Sequence, residues 1–432
     1  MSQESLKTGS IDKFQLTASI GGKTVDLSAG ITDFRIYESV LSNTVTATAT
    51  VVETGTNVEG SIDGLPIRGG ENLRFKIRDA QDNIIDETLM VNRLRNAIPE
   101  STRDFYILDF ASPEYFDNDT TRVTKRYRSK ISESVRKILT EVLSTKKTLD
   151  IDDTLNEYNF MGNDRKPFYT CTWLAQKSIS NEANGGTAGF LFFQTIDSFK
   201  FKSIDTLLSQ SAKKSFIFNS GNKESEDDDI IINYTIERDI DLHENLTLGY
   251  YGCSGLFFDP VSFSYVVRDY DINAQSRQSP AKTFAGDLVN QNTRGQAQTP
   301  YAPRITPNQM SRLMNIVLDT GTLPPGKGSE KELEYWKNNP DHLNYDAPKS
   351  AIQSIMRYNQ LFTIQTTITI PGDFSIKAGD TVECTFPQLD SDKNSGENPK
   401  TKGIYMVAHV CHKITPENTL TSLSLVRDSY GK

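Results

Sequence analysis

The sequence predicts a mainly β fold with an α/β insertion, in which one β-module is used twice. The first observation is a pair of matching stretches, Ile67–Ile77 and Ile376–Phe386. Each has an apolar, a basic, a small, a Gly, an acidic and a polar residue before an alternating run. The second is a Thr-rich alternation at 44–52 that recurs at 363–370. Alternation that begins after a glycine corner is typical of a strand leaving a tight turn.

The match between the two stretches continues downstream. The corresponding residues are Met90-Val91, Leu94 and Ile98 in the first copy and Met406-Val407, Val410 and Ile414 in the second, followed by one inserted residue. Short alternating runs separated by Gly-rich turns favour a sandwich or a small barrel. The strands expected around the two corners are Leu73–Ile77, Thr88–Leu94, Phe105–Phe110, Ile404–His412 and Leu420–Arg427.

Helical patterns begin after Ser112. Apolar residues recur every three or four positions over 131–143, and a second helix is expected over 167–181, where Pro167 suits the first turn. Two apolar strands, 189–195 and 199–203, follow. Residues 113–207 are therefore expected to form a mixed α/β domain.

The second half of the chain gives a less regular pattern. Residues 272–304 are polar and lack a period, which indicates an extended arm that a partner covers. The strands expected here are Ile230–Arg238, Leu246–Tyr251 and Val261–Asp269, and the expected helices are Met310–Leu318, Glu330–Lys337 and Pro348–Arg357.

Composition limits the class of protein. A net charge of −9 argues against a sequence-independent DNA clamp, which needs clustered Lys and Arg. No run of 18 apolar residues is present, so no membrane insertion is expected. The first residues lack the apolar core of a signal peptide, and the four widely spaced cysteines form no CxxC pair; folding in a reducing cytosol is expected.

Two clusters could hold a metal ion. His409, Cys411 and His412 lie close in sequence, but in a strand His412 points away from the other two. The acid run at 221–229 is either a calcium site or a solvated loop; it lacks the ligand spacing of an EF-type loop, which favours the loop. We assign no metal ligand and expect no cofactor.

No nucleophile elbow, HExxH, Walker-type loop or dinucleotide fingerprint is present. We therefore assign no catalytic and no cofactor-binding residue, and expect a protein that is not an enzyme. One alternative stays open, a glycan hydrolase, because carboxylate pairs abound in an acidic chain.

Several motifs, taken in order, resemble the central baseplate hub protein of T-even-like contractile-tailed bacteriophages. The similarity covers most of the chain and is weakest at 272–350. The motifs are Asp33–Ser39, Leu65–Glu71, Ser134–Leu139, Gly189–Phe193, Phe199–Asp205 and Leu423–Asp428.

The resemblance implies two similar β-barrels per subunit and a homotrimer that forms a pseudo-sixfold ring around a DNA channel. The implied partners are a central spike protein, tail tube or tube-initiator proteins and baseplate wedge proteins, with DNA only in passage. The implied location is the virion tail baseplate, assembled in the host cytoplasm. The spike is expected on a separate chain, and a hub of a tail-derived injection particle is the remaining alternative.

The resemblance also implies a division into domains in which the first barrel is discontinuous. The expected parts are a first barrel (1–112), an inserted α/β domain (113–207), a segment returning to the first barrel (208–240), the start of the second barrel (241–271), an extended and partly helical insertion (272–359) and the second barrel (360–432).

Overall fold

The structure is a computed structural model, and the predicted mainly β fold is confirmed. Two groups of seven strands make up one large sheet, and smaller sheets and helices lie between them in the chain. The described residues are 9–18, 22–53, 67–99, 104–181, 186–218, 229–237, 242–249, 252–259, 263–271, 312–317, 347–387 and 401–428.

The first group of strands, which we call the first repeat, is contiguous in sequence. Its order in space is β1-β5-β6-β7-β4-β3, with β2 beside β1. A 3₁₀ turn at Ser28–Gly30 joins β2, at one end of this strand order, to β3 at the other end, so the sheet curls. The strands are β1 (Ser10–Thr17), β2 (Thr24–Asp26), β3 (Ile31–Ser39), β4 (Thr46–Glu53), β5 (Asn72–Arg78), β6 (Ile84–Pro99) and β7 (Asp104–Ala111).

A mixed α/β region follows the first repeat. Apolar residues at helical spacing form the expected first long helix, although its second half is a π-helix at Ile138–Val142. The helix expected over 167–181 ends at Ala175. The elements are α1 (Pro113–Thr120), β8 (Arg126–Lys130), α2 (Ile131–Lys137), β9 (Thr148–Ile151), β10 (Glu157–Met161), α3 (Pro167–Ala175), β11 (Phe190–Gln194), β12 (Ser198–Ser203) and α4 (Ile204–Leu208).

The second group of strands, the second repeat, is interrupted in sequence. Its order in space is β13-β20-β21-β22-β19-β15, with β14 beside β13, which matches the order of the first repeat strand for strand. Only the first strand differs, because β13 runs parallel to β20 whereas β1 runs antiparallel to β5. The strands are β13 (Ser215–Phe218), β14 (Ile230–Ile231), β15 (Asn233–Glu237), β19 (Ile364–Pro371), β20 (Thr381–Thr385), β21 (Gly403–Ile414) and β22 (Thr419–Arg427).

The interruption falls between β15 and β19, the equivalents of β3 and β4. A three-stranded sheet in the order β17-β16-β18 lies here. The last helix of this region packs against the sheet and joins the core of the α/β region through Ile352 and Met356. The elements are α5 (Leu242–Leu248), β16 (Gly252–Asp259), β17 (Ser264–Asp271), β18 (Arg312–Val317) and α6 (Ala347–Leu361).

Strand pairing corrects two of the expected segments. Residues 208–240 do not return to the first barrel, because β13 pairs with β20 and β15 pairs with β19. Residues 241–271 do not begin the second barrel, because β16 and β17 pair with each other and with β18. The α/β region 113–207 therefore lies between the repeats rather than inside the first. The domain boundaries as a whole stay a prediction.

Two predicted elements are wrong in type. The strand expected at Leu246–Tyr251 is preceded and partly replaced by helix α5, and the helix expected at Met310–Leu318 is strand β18. The helix expected at 348–357 is confirmed as α6. The acid run at 221–228, the arm at 272–304 and the helix expected at 330–337 lie outside the described residues.

Within the described parts of the chain, the helices are all too short or too polar to cross a membrane.

Candidate functional site

The two repeats hold their strands in the same register. In each repeat one row of paired residues crosses five strands. Because each pairing fixes the next, the two rows define which residue of one repeat is equivalent to which residue of the other. The rows are Asn72, Met90, Ala111, Thr46 and Tyr37 in the first repeat and Thr381, Met406, Val426, Gln365 and Glu237 in the second.

The two corners found in the sequence close with the same hydrogen bond. The amide of Arg68 donates to the carboxylate of Glu71 at 2.8 Å, and the amide of Lys377 donates to the carboxylate of Asp380 at 2.9 Å. An acid three residues after the donor thus caps each turn. This shared role makes the acid of each corner a structural residue.

The glycines of the corners are also equivalent. Gly70 has a φ of +88° and Gly379 a φ of +86°, a region that favours glycine. Their amides donate to the carbonyls of Val91 and Val407, each at 2.8 Å. Directly after these valines, the ladder to the next strand shifts by one residue in both repeats. A bulge at the same place bends both sheets in the same way.

Strands β3 and β21 join the two repeats, and we call this strand pair the seam. The pairing is antiparallel and runs from Ser39 opposite His409 to Phe34 opposite Ile414. The amide of Val40 extends it by donating to the carbonyl of Ala408 at 2.9 Å. Since the other edge of β3 pairs with β4, both edges of β3 are hydrogen-bonded.

A buried carboxylate fastens the seam to the α/β region. Glu38 is only 3% exposed, and its two oxygens accept hydrogen bonds from the amides of Ile196 at 2.7 Å and Ala378 at 3.0 Å. Burial raises the pKa of Glu38, although the two amide donors favour the charged form. One side chain of the first repeat thereby holds the corner of the second repeat and the β11–β12 turn together.

A second buried carboxylate fastens the far end of the seam. Asp79, in the β5–β6 turn, accepts a hydrogen bond of 2.8 Å from the amide of Phe374. The ring of Phe374 packs edge-on against His412, whose Nδ1 lies 3.0 Å from the hydroxyl of Thr421. Burial lowers the pKa of His412 to about 4, so this imidazole is neutral at physiological pH. His412 is thus a core residue of the joint.

The cluster of His409, Cys411 and His412 does not converge on one point. His409 is exposed and His412 is buried, on opposite faces of β21. No group of three or more His, Cys, Asp or Glu in the described residues could hold a metal ion. Burial raises the pKa of the Cys411 thiol, and that of the fully buried Cys171 and Cys384 thiols, which disfavours the reactive thiolate.

A surface cleft of about 850 Å³ lies where the first repeat, the α/β region and the corner of the second repeat meet. Two of its carboxylates pair with lysines: Asp197 with Lys377, and Asp380 with Lys213 at 2.9 Å. Burial would raise the pKa of Asp197, but the hydrogen bond and charge of Lys377 lower it. A general acid needs a raised pKa, so these pairs fit a structural role.

Comparison with solved structures identifies proteins that share this fold. A tail protein from Neisseria meningitidis is 11% identical, with a TM-score of 0.51 over 96% of this chain and 97% of its own. The 43 kDa tail protein of prophage MuSo2 from Shewanella oneidensis is 10% identical, with a TM-score of 0.52 over 96% and 98%. A chain of the lidded PdpA–VgrG complex of Francisella is 8% identical, with a TM-score of 0.50 over 99% of this chain but 55% of its own.

At these identities the likeness shows the fold alone. No protein-family model matches the sequence, and no curated protein matches it.

Sequence reasoning missed the buried carboxylates Glu38 and Asp79 and the place of β15 in the second repeat. The two acids carry no motif, since their role depends on amides from distant segments. For β15 a signal exists. Residues 33–37 read Asp, Phe, Arg, Ile, Tyr, and residues 233–237 read Asn, Tyr, Thr, Ile, Glu. Both runs alternate polar and apolar positions with an aromatic second and an isoleucine fourth.

Proposed function

We propose that this chain is a structural hub protein of a contractile phage tail baseplate, and that three copies form a pseudo-sixfold ring. The ring would join the tail tube to the central spike and surround the DNA channel. The proposed partners are the spike, tube or tube-initiator proteins and wedge proteins, and the proposed location is the virion tail. We also propose that the chain has no enzymatic activity.

The single observation that carries the proposal is the duplication in matched register. Three chains with two equivalent repeats each present six similar units, which is the form needed between a hexameric tube and a trimeric spike. The fold neighbours support the tail assignment, because two of them are tail proteins. The third belongs to a complex that contains VgrG, which supports a spike-type partner.

The residues around the seam support a structural role over catalysis. Glu38 and Asp79 accept amide hydrogen bonds inside the protein, and two carboxylates of the cleft, Asp197 and Asp380, pair with lysines. The acidic balance of the chain, with a net charge of −9, supports a channel that DNA crosses without binding.

Mass photometry of the purified chain, alone and mixed with candidate spike and tube proteins, tests the proposal. We expect particles of about three times the 48.4 kDa chain mass, with spike or tube protein raising their share. Negative-stain images of these particles should show a central hole. A chain that stays monomeric with every partner would overturn the proposal, as would particles with an even number of subunits.

A further inference from the structure

We propose that neighbouring copies of this chain join through the outer edges of β15 and β6, with Glu237 of one copy opposite Arg95 of the next. The joint would repeat the geometry of the seam. This inference rests on the proposed ring and deepens it, because it names the strands, the register and the side chains that bind one subunit to another.

Strands β15 and β6 are the equivalents of the two strands that form the seam. The residue rows make Tyr37 of β3 equivalent to Glu237 of β15. They also make Met90 of β6 equivalent to Met406 of β21, and the matched bulges extend this to Arg95 and Cys411. The seam pairs β3 with β21, so the equivalent pair is β15 with β6.

Within the described parts of one chain, β15 and β6 do not pair with each other. Among the described residues, β15 pairs only with β19, and β6 beyond Met90 pairs only with β7. In the seam, by contrast, β3 and β21 each have hydrogen-bonded neighbours on both edges. The equivalent edges of β3 and β21 are not open, because these two strands cover each other in the seam. An open strand edge is a template for pairing with another chain.

The apolar side chains of β15 and β6 are more exposed than their equivalents in the seam. Phe34 and Ile36 of β3 are fully buried, whereas the equivalent Tyr234 and Ile236 of β15 are half-buried. Val410 of β21 is buried, and the equivalent Leu94 of β6 is half-buried. The apolar positions that the seam covers are therefore present, and partly uncovered, on both open edges.

The proposed joint also brings opposite charges together. In the seam Tyr37 lies opposite Cys411, so the same register places Glu237 opposite Arg95. Arg95 already binds Asp109 through Nε and Nη2, each at 2.6 Å, and this holds its guanidinium over the sheet. An acid directly opposite an arginine stabilises a strand pair, whereas a like charge opposes it. After Arg95 a second bulge at Asn96, with a φ of +49°, marks the end of the register that the seam defines.

The joint uses two different surfaces, so it is heterologous. Such an interface cannot close a twofold dimer; it propagates from head to tail and forms a ring where the rotation closes. Each copy carries one β15 edge and one β6 edge, so every added copy leaves the same edges available. A ring of three copies is the closed form that matches the proposed function.

Disulfide trapping tests the register. The variant R95C/E237C should give covalent dimers and trimers on a non-reducing gel, and the single variants R95C and E237C should not. The matched control is R95C/T235C, which keeps the face of β15 but moves the cysteine two residues out of register; we expect at least a fivefold lower yield. Equal yields from the two pairs would overturn the register.

A charge reversal tests the joint without cysteines. We expect E237R to weaken assembly about tenfold, since an attractive pair becomes a repulsive one. The control is E133R, an exposed acid on α2 in the α/β region, which should assemble like the wild type. Particles of three subunits with neither the trapped disulfide nor sensitivity to E237R would overturn this joint but leave the hub proposal standing. The absence of any particle would overturn both.

Discussion

His412 shows how one buried side chain couples the joint between the repeats to pH. Its imidazole lies against Phe374, and the charged groups around it are Asp373, which favours protonation, and Lys377, which opposes it. Burial acts in the same direction as Lys377 and outweighs Asp373 and the backbone hydrogen bond with Ile376, so the pKa falls from 6.5 to about 4. At pH values between about 4 and 6.5, His412 is therefore neutral in the folded protein but protonated in the unfolded chain.

The sign of the pH effect follows from this shift. Above about pH 6.5 both states are neutral at His412, and the full stability is present. As the pH falls toward 4 the unfolded chain gains a proton that the folded protein does not, so the free energy of unfolding falls by up to about 3 kcal/mol. We expect the urea midpoint of the wild type to fall more steeply between about pH 7 and pH 5 than that of H412Q. Equal slopes would contradict this role of His412.

Glu38 and Asp79 have the same structural role at the two ends of the seam. Each is an acid that is 3% exposed and whose carboxylate accepts amide hydrogen bonds from the other half of the chain. Removal of such an acceptor leaves buried donors without a partner, which costs more than the bond contributes. The joint between the repeats thus depends on two side chains as well as on the strand ladder.

The glycine corners allow an element-scale test with a built-in control. Gly70 and Gly379 have nearly the same φ, but their surroundings differ. A Cβ at Gly70 would meet nothing within 4 Å, whereas at Gly379 it would lie 2.8 Å from the ring of Phe193. We expect G70A to lower the free energy of unfolding by about 1–2 kcal/mol from backbone strain alone. G379A should cost about 1–3 kcal/mol more because it overpacks the core. Urea unfolding of both variants measures the difference, and equal losses would contradict the packing argument.

Local pattern predicts elements well where one face of a strand is buried. The Thr-rich runs alternate because Ala47 and Ala49, like Ile368 and Ile370, face the cores, whereas the threonines between them lie on the less buried face. Both runs are strands, as predicted. Prediction from pattern fails where the spacing of apolar residues fits both a helix and a strand, as in β18. Its type is decided by pairing with β16, which comes from another part of the sequence.

The duplicated corners were predictable because a tight turn needs particular residues at fixed places. The seam was not. Whether β13–β15 belong to the first or the second repeat depends on which distant strand they pair with. Hydrophobic periodicity alone does not decide this, and the only signal is the likeness of residues 233–237 to residues 33–37. The alignment beyond Leu94 shows the same limit, because the bulge at Asn96 makes Ile98 equivalent to Lys413 rather than to Ile414.

Charge is the property of the whole molecule that bears most directly on passage of DNA. A net charge of −9 repels phosphates when averaged over the whole molecule. We therefore expect no change in the anisotropy of a labelled DNA duplex at physiological salt, with a basic DNA-binding protein as the positive control. Binding that weakens steeply as salt rises would contradict a channel that DNA crosses freely.

The seam also has a consequence for synthesis of the chain. Strand β3 is among the first to leave the ribosome, but its partner β21 is among the last, because Tyr37 must wait for Cys411. During translation the first repeat can curl up alone, with the outer edge of β3 still open. On a polysome, many nascent chains hold that same open edge close together. Mispairing between the β3 edges of nascent chains is therefore most favoured in the interval before β21 is synthesised.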